Sequence, residues 1–274
     1  MDARITLPAL QEMKRNGRKI VGVVTYDYQM AQIVDRAGVD IVSVGDSVGI
    51  NLWGHRSELD VTVDEMILAC RAVRRGVTRA LVSCDFPFGP LQEGPETAVR
   101  TAIRLVKEGG ADVVKLDGAA AYPESVRAIT RAGIPVWAQF GITPHTALRY
   151  GGMAKAGPEL STEFKDRLLQ EARELEGAGA ALLDFTNSGD VAGTEVTRAC
   201  SIPVIGGLGG GPWLDGRVRA AFAAVGYLAK ALDDTSTERY ANLASITFEA
   251  MKTFAGDVRA GRQIRGSEAR TVTT

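Results

Sequence analysis

Val44-Gly45-Asp46-Ser47 and Ser83-Cys84-Asp85-Phe86 are the two stretches that decide the fold of this 274-residue chain. Each completes a run of apolar, mostly branched residues that ends in a lone aspartate. Such a run predicts a strand buried on both faces of a parallel sheet. Each aspartate could simply cap the turn that follows it. The recurrence of the pattern instead favours a pair of carboxylates at the carboxyl edge of one sheet.

This predicted pair of carboxylates indicates a metal site. Two close carboxylates repel each other unless a cation or shared protons relieve the repulsion. Because these ligands are oxygens with no His or Cys beside them, they point to Mg²⁺ or a similar hard divalent cation.

The rest of the chain repeats one supersecondary unit, a helix-ending glycine followed at once by a strand. Copies begin at Gly38, Gly110 and Gly179. Strands are predicted at 20–25, 39–44, 79–85, 111–117, 134–140, 180–186 and 203–206, with a weak eighth at 220–225. Seven or eight βα units of this length favour a closed (β/α)8 TIM barrel over an open doubly wound sheet. No G-x-G-x-x-G motif follows the first strand, which also disfavours a dinucleotide-binding fold.

The whole chain, 1–274, is predicted to be a single barrel domain. A short helix is expected at 7–14, within an N-terminal helical segment at 1–19, and an extra C-terminal helix at 236–255. Residues 51–60 show no clear period and are interpreted as a loop. The polar tail, 259–274, is expected to be mobile.

Composition excludes several classes of function. The formal net charge of -1 gives no electrostatic reason to bind nucleic acid or an anionic membrane. Neither a transmembrane run nor an apolar signal core is found, so a cytoplasmic protein is expected. The three scattered cysteines do not suggest a disulfide framework.

In a barrel of this kind, catalytic groups lie at the carboxyl ends of the strands. The polar residues predicted there are Asp46, Ser47, Asp85, Lys115, Asp117, Gln139, Asp184 and Thr186. Lys115 and Asp117 are two residues apart and therefore share a face. Lys115 can hold a substrate carboxylate or enolate oxygen, or it can form a structural ion pair with Asp117. His145 is interpreted as a surface or helix-start residue rather than a ligand.

This constellation suits a 2-oxo acid that chelates a divalent ion through its carboxylate and ketone. The ion would act as a Lewis acid and stabilise the enolate that forms next to the ketone. The residues therefore predict metal-assisted enolate chemistry, without identifying the electrophile.

At these residues the chain resembles the ketopantoate hydroxymethyltransferase (3-methyl-2-oxobutanoate hydroxymethyltransferase) family, collinearly from about Leu10 to Gly216. The shared motifs are Thr25-Tyr-Asp-Tyr28, Val44-Gly-Asp-Ser-Val-Gly49, Gly54-His55, Ala72-Val-Arg-Arg-Gly76, Asp85-Phe-Pro-Phe88, Val114-Lys-Leu-Asp-Gly118, Gly141-Ile-Thr-Pro144 and Pro203-Val-Ile-Gly206. The resemblance implies a barrel like those of phosphoenolpyruvate mutase and isocitrate lyase. It also implies one-carbon transfer from methylenetetrahydrofolate to a branched 2-oxo acid, and a homo-oligomer.

By position, the resemblance implies roles for particular residues. Asp46 and Asp85 would bind magnesium, and Asp117 stands where the family has a glutamate that completes the metal shell. Ser47 and Lys115 match positions that hold the 2-oxo acid.

Two departures bear on the chemistry. Thr186 stands where the family has its proton-accepting glutamate, and Gln139 stands where it has a histidine. Losing a positioned base typically costs roughly 10²–10⁴-fold in rate. Beyond Gly216 the resemblance fades.

Three hypotheses follow from these departures. In the first, Asp184 or Asp190 replaces the missing base; Asp184 shares its strand face with Thr186, one layer deeper. In the second, the reaction is a related aldol or retro-aldol step on a different, more polar 2-oxo acid, which Gln139, Arg56, Glu58 and Asp60 would suit. In the third, the chain only binds a metal-chelating ligand or a partner.

Overall fold

A computed structural model describes residues 3–151, 162–186, 189–234, 236–262 and 265. Within these residues, eight parallel strands close into a barrel in sequential order, with β8 pairing with β1. The strands are β1 (Ile20–Val24), β2 (Ile41–Val44), β3 (Leu81–Asp85), β4 (Val113–Leu116), β5 (Val136–Gly141), β6 (Leu182–Thr186), β7 (Val204–Gly206) and β8 (Gly216–Ala220). The predicted (β/α)8 barrel is confirmed.

Along the chain, one α-helix follows each strand from β1 to β6, and the other helices lie before β1 and after β8. The α-helices are α1 (Leu7–Arg15), α2 (Tyr28–Arg36), α3 (Val63–Gly76), α4 (Pro95–Arg104), α5 (Pro123–Arg131), α6 (Thr162–Gly177), α7 (Asp190–Ala199), α8 (Ala221–Ala224) and α9 (Leu243–Arg259). None of the described helices combines the length and the apolarity that a membrane span requires. The three cysteines are free and buried.

One local prediction was wrong, and two were correct only in part. The eighth strand lies at Gly216–Ala220, and the apolar run after it forms the short helix α8. The segment 51–60 contains a π-helical turn at Gly49–Trp53 and a 3-10 turn at Glu58–Asp60. The C-terminal helix begins at Leu243 and runs to Arg259, into the predicted tail, of which only 259–262 and 265 are described.

The chain divides into two compact units, 1–220 and 221–274, and the closed barrel lies entirely within the first. The second contains α8 and α9. Whether the whole chain behaves as one domain stays a prediction.

The amino-terminal end of the barrel is filled with apolar side chains and closed by α1. Leu10 and Met13 of α1 pack with a layer from the strands that includes Ile20, Ile41 and Trp137. Burying this layer removes apolar surface from water and stabilises the barrel. With that end filled, the polar residues are left at the carboxyl ends of the strands.

Two aspartates also join neighbouring strands at the amino-terminal end. Asp40 accepts a hydrogen bond from the backbone N–H of Val21 at 3.0 Å, and Asp112 accepts one from that of Val82 at 3.0 Å. Both aspartates belong to the repeated glycine-led motif recognised in the sequence. The repeat therefore satisfies a backbone donor of the preceding strand, in addition to starting its own.

Candidate active site

Four aspartates gather at the carboxyl ends of β2, β3, β4 and β6. Asp46 follows β2, Asp85 ends β3, Asp117 follows β4 and Asp184 lies in β6. Asp46, Asp117 and Asp184 are buried, and the Asp85 side chain is 13% exposed. The barrel register places Asp85 beside Lys115 and Asp184 beside Gln139. The structure therefore brings these predicted residues together at the carboxyl ends of the strands.

Lys115 is the cation at the centre of this group. Its Nζ lies 3.1 Å from Asp184 Oδ2 and 3.5 Å from Asp85 Oδ2, and 5.4 Å from the centre of the Trp137 ring. Burial by itself lowers the pKa of Lys115, but Asp85 and Asp184 outweigh it, so that the pKa is raised. Lys115 therefore stays charged at every ordinary pH. Its ion-pair partners are Asp184 and Asp85, not Asp117.

The carboxyl group of Asp85 has a pKa close to neutral pH. Burial raises its pKa to about 7, Lys115 opposes the rise, and the charges of Asp46, Asp184 and Asp117 add to it. Its Oδ1 lies 3.4 Å from the Ser43 hydroxyl. A divalent ion beside Asp85 would favour its charged form.

His145 is not a surface residue, and this part of the sequence interpretation was wrong. Its side chain is only 4% exposed, and its Nε2 lies 2.9 Å from Asp46 Oδ2. The Phe88 ring packs edge-on against it, with ring centres 5.5 Å apart. Burial lowers the pKa of His145, but the hydrogen bond to Asp46 and the charge of Asp117 raise it overall.

Asp117 lies on the other side of the His145 ring. Its Oδ2 accepts the backbone N–H of His145 at 3.3 Å and lies 4.0 Å from His145 Nδ1. Burial raises the pKa of Asp117, and His145 opposes the rise. Its Oδ1 is buried and has no hydrogen-bond partner, and the same holds for Asp184 Oδ1. Buried acceptors without partners are costly, which fits a site that receives a ligand.

Gln139 and Thr186 form a neutral pair. Gln139 Nε2 donates to Thr186 Oγ1 at 3.2 Å, and both residues are buried. Neither side chain can act as a carboxylate base. Asp190, one of the two suggested replacements, is exposed at the start of α7, and its Oδ1 lies 3.4 Å from Trp213 Nε1. Asp184, the other, contacts Lys115 directly.

Three site residues, Tyr26, Ser43 and Ser83, had no role in the sequence analysis. Tyr26 and Ser47 are joined through their hydroxyls at 2.8 Å, and Ser43 and Ser83 at 2.7 Å. Ser83 is two residues before Asp85 on the same strand, so alternation would have placed it on the same face. No comparable signal connects Tyr26 to Ser47, because their contact depends on the pairing of two strands.

The donor set suits a hard divalent ion, although it is not preassembled as a cage. Among the described residues, no group of three or more His, Cys, Asp or Glu side chains is arranged to hold a metal. Mg²⁺ is commonly bound through one or two carboxylates, with water and substrate completing its shell. Asp46 and Asp85, with the unpartnered oxygen of Asp117 nearby, therefore fit an ion that binds together with its substrate.

Comparisons with known proteins identify the family of this chain. The model of the family described as Ketopantoate hydroxymethyltransferase matches residues 4–263. The protein named 3-methyl-2-oxobutanoate hydroxymethyltransferase in Cyanothece sp. (strain PCC 7425 / ATCC 29141) is 41% identical over 258 residues, covering 93% of this chain and 96% of its own. Its namesake in Moorella thermoacetica is 41% identical over 261 residues, covering 95% of each. The match thus continues well past Gly216, where the resemblance was expected to fade.

Solved structures with the same fold are more distant in sequence. A putative phosphonomutase from Burkholderia cenocepacia J2315 has a TM-score of 0.61 at 17% identity, covering 93% of this chain and 100% of its own. 2,3-Dimethylmalate lyase, a member of the PEP mutase/isocitrate lyase superfamily, has a TM-score of 0.59 at 15% identity, covering 98% and 92%. These two likenesses establish the barrel type. Because the family model and the close relatives span nearly the whole chain, this protein belongs to the ketopantoate hydroxymethyltransferase family of enzymes.

Proposed function

We propose that this enzyme forms the enolate of a 2-oxo acid at a divalent metal ion and adds a one-carbon unit to it. The observation that carries this proposal is the cluster of four aspartates around Lys115. The carboxylates outnumber the cations, so the cluster calls for further positive charge. A divalent ion, Mg²⁺ or a similar one, supplies it.

Each residue has a definite part in this proposal. Asp46 and Asp85 hold the ion, and Asp117 is the third acidic group beside the site. When bound, the ion polarises the ketone and stabilises the enolate. Lys115 holds the substrate carboxylate or enolate oxygen. Ser47, positioned by Tyr26 at 2.8 Å, binds the carboxylate of the 2-oxo acid.

We assign the proton-accepting role to Asp184. Its Oδ1 is buried without a hydrogen-bond partner, while its Oδ2 is held by Lys115. One oxygen is therefore anchored and the other is free to take a proton. Thr186 and Gln139 bond to each other and shape the wall beside it.

Proton exchange tests this assignment without the one-carbon donor. With Mg²⁺ in deuterium oxide, the wild-type enzyme should exchange the proton beside the ketone of 3-methyl-2-oxobutanoate, as followed by NMR. Asp184→Asn should slow exchange roughly 10²–10⁴-fold. Asp190→Asn, at the alternative base position, is the matched control and should leave exchange intact. If Asp190→Asn abolishes exchange and Asp184→Asn does not, the assignment is wrong.

A second candidate substrate is a more polar 2-oxo acid. Burial and the charge of Asp46 raise the pKa of Glu58, which indicates a carboxyl group within electrostatic reach of the site. A panel of 2-oxo acids in the same exchange assay separates the candidates. Exchange with other acids only would favour an altered substrate. Binding without any exchange would favour a ligand-binding role instead of catalysis.

The proposed one-carbon donor is methylenetetrahydrofolate, in keeping with the family. Mixing it with enzyme, metal and 3-methyl-2-oxobutanoate should yield the hydroxymethylated acid. Thr186→Glu should raise that rate if the neutral residue limits the reaction. Exchange without transfer, even in Thr186→Glu, would mean that the enolate reacts with a different electrophile.

We also propose that the enzyme assembles as a homo-oligomer. Within α9 the buried residue is Ala244, whereas Ile246, Phe248, Met251 and Val258 are exposed. An apolar surface of this kind favours association. Light scattering should give a multiple of the chain mass, and Phe248→Lys with Met251→Glu should reduce it. A monomeric wild type would refute the proposal.

A further inference from the structure

The side chain of His145 separates two of the acidic groups at the barrel mouth. Its Nε2 faces Asp46 Oδ2 at 2.9 Å, and its Nδ1 faces Asp117 Oδ2 at 4.0 Å. The backbone N–H of His145 also donates to Asp117 at 3.3 Å, so the residue is held from two directions. The imidazole therefore points into the site, in contact with a proposed metal ligand.

The distance between Nε2 and Asp46 Oδ2 matches two ligands of one ion. Donors bound at 2.0–2.1 Å in adjacent octahedral positions lie roughly 2.9 Å apart. A neutral imidazole nitrogen binds divalent metals at a similar distance. An ion can therefore take the place of the hydrogen-bond proton between Nε2 and Asp46.

Asp117 is placed to support this ligand rather than to bind beside it. With Nε2 on the ion, the ring proton must reside on Nδ1, which faces Asp117 Oδ2. A carboxylate that accepts this proton fixes the tautomer and raises the basicity of the ligand. The 4.0 Å separation would have to shorten for a full hydrogen bond.

We propose that His145 Nε2 joins Asp46 as a protein ligand of the metal ion, while Asp117 orients the imidazole from behind. The inference rests on the proposed metal site and deepens it. Imidazole suits first-row transition ions better than Mg²⁺. The site therefore favours Co²⁺ or Mn²⁺ over Mg²⁺ more strongly than an all-oxygen site does.

Pulsed electron paramagnetic resonance tests the ligand directly. Mn²⁺ bound to the wild-type enzyme with 3-methyl-2-oxobutanoate should show the nitrogen coupling of a coordinated imidazole. His145→Gln should lose that coupling and, with the 2-oxo acid present, bind Co²⁺ at least about 10-fold more weakly by calorimetry, with a smaller preference for Co²⁺ over Mg²⁺. Asp117→Asn should keep the nitrogen coupling and weaken binding less.

The chain offers a matched control in its second histidine. His55 Nε2 pairs with Glu65 at 3.3 Å, and His55→Gln should keep both the coupling and the affinity. If His145→Gln retains the coupling and the affinity, the inference is wrong while the metal-dependent function stands. If the wild-type enzyme binds no divalent ion with the 2-oxo acid, the proposed function fails together with the inference.

Discussion

At the residue scale, the site consists of ionisable side chains that are largely buried from water. Lys115 keeps its proton because Asp85 and Asp184 outweigh the cost of burying an ammonium group. Asp85 instead tends to hold its proton. Burial and three neighbouring aspartates raise its pKa by more than the charge of Lys115 lowers it. The result is a strained set of carboxylates that gains stability when a cation arrives.

The raised pKa of Asp85 predicts how one substitution affects stability with pH. In the unfolded chain Asp85 ionises near its ordinary pKa, about 4, but in the fold only near 7. Between these two pKa values, the folded state binds more protons than the unfolded state. The free energy of unfolding therefore falls as the pH rises. Asp85→Asn removes this penalty. In metal-free protein its stabilising effect should be near zero at pH 4 and greatest above pH 7, as measured by thermal unfolding. A pH-independent difference would contradict the assigned pKa.

Removing the central cation tests how strongly the site depends on Lys115. Lys115→Met should destabilise the metal-free protein by about 3–5 kcal/mol near pH 8, because it leaves buried carboxylates unpaired. Adding Asp184→Asn to this variant should recover part of the loss. Urea unfolding of the two single variants and the double variant measures the coupling. Additive effects would mean that the 3.1 Å contact does not stabilise the fold.

At the element scale, the repeated aspartates at the strand starts connect sequence to architecture. Asp112 accepts from the Val82 N–H at 3.0 Å and pairs with Arg74 at 2.9 Å, so it links β3, β4 and α3. Asp112→Ala should cost about 1–3 kcal/mol, since a backbone donor loses its partner. Asp64→Ala, at an 81% exposed aspartate paired with Arg104, is the control and should cost less than about 1 kcal/mol. Equal losses in chemical unfolding would refute this role.

Element boundaries show where sequence patterns mislead. The segment 220–225 was predicted as the eighth strand because it is apolar, but Gly216–Ala220 forms it. That strand alternates buried and exposed residues, with Arg217 and Arg219 facing outward. Because its two arginines interrupt the apolar residues, a search for continuous apolar runs does not detect this strand.

At the scale of the whole molecule, metal and substrate should stabilise the protein more together than either does alone. The described residues do not form a preassembled metal cage, so the protein alone does not provide a full set of ligands for the ion. The 2-oxo acid alone does not provide one either. At 100 times the dissociation constant, joint binding adds about 2.7 kcal/mol to the unfolding free energy. That corresponds to a rise in melting temperature of roughly 5–10 °C. An equal rise with 3-methyl-2-oxobutanoate in the presence of a chelator would contradict the linkage.

The amino-acid sequence by itself determined the barrel, the order of its strands and the end at which the acidic residues gather. These features follow from local periodicity and from the rule that parallel strands end together. Only the tertiary structure decided that His145 meets Asp46, 99 residues away, and that Lys115 pairs with Asp184 and Asp85. The physical reason is that barrel closure brings distant loops and strands into contact, and no local pattern of residues encodes those distances.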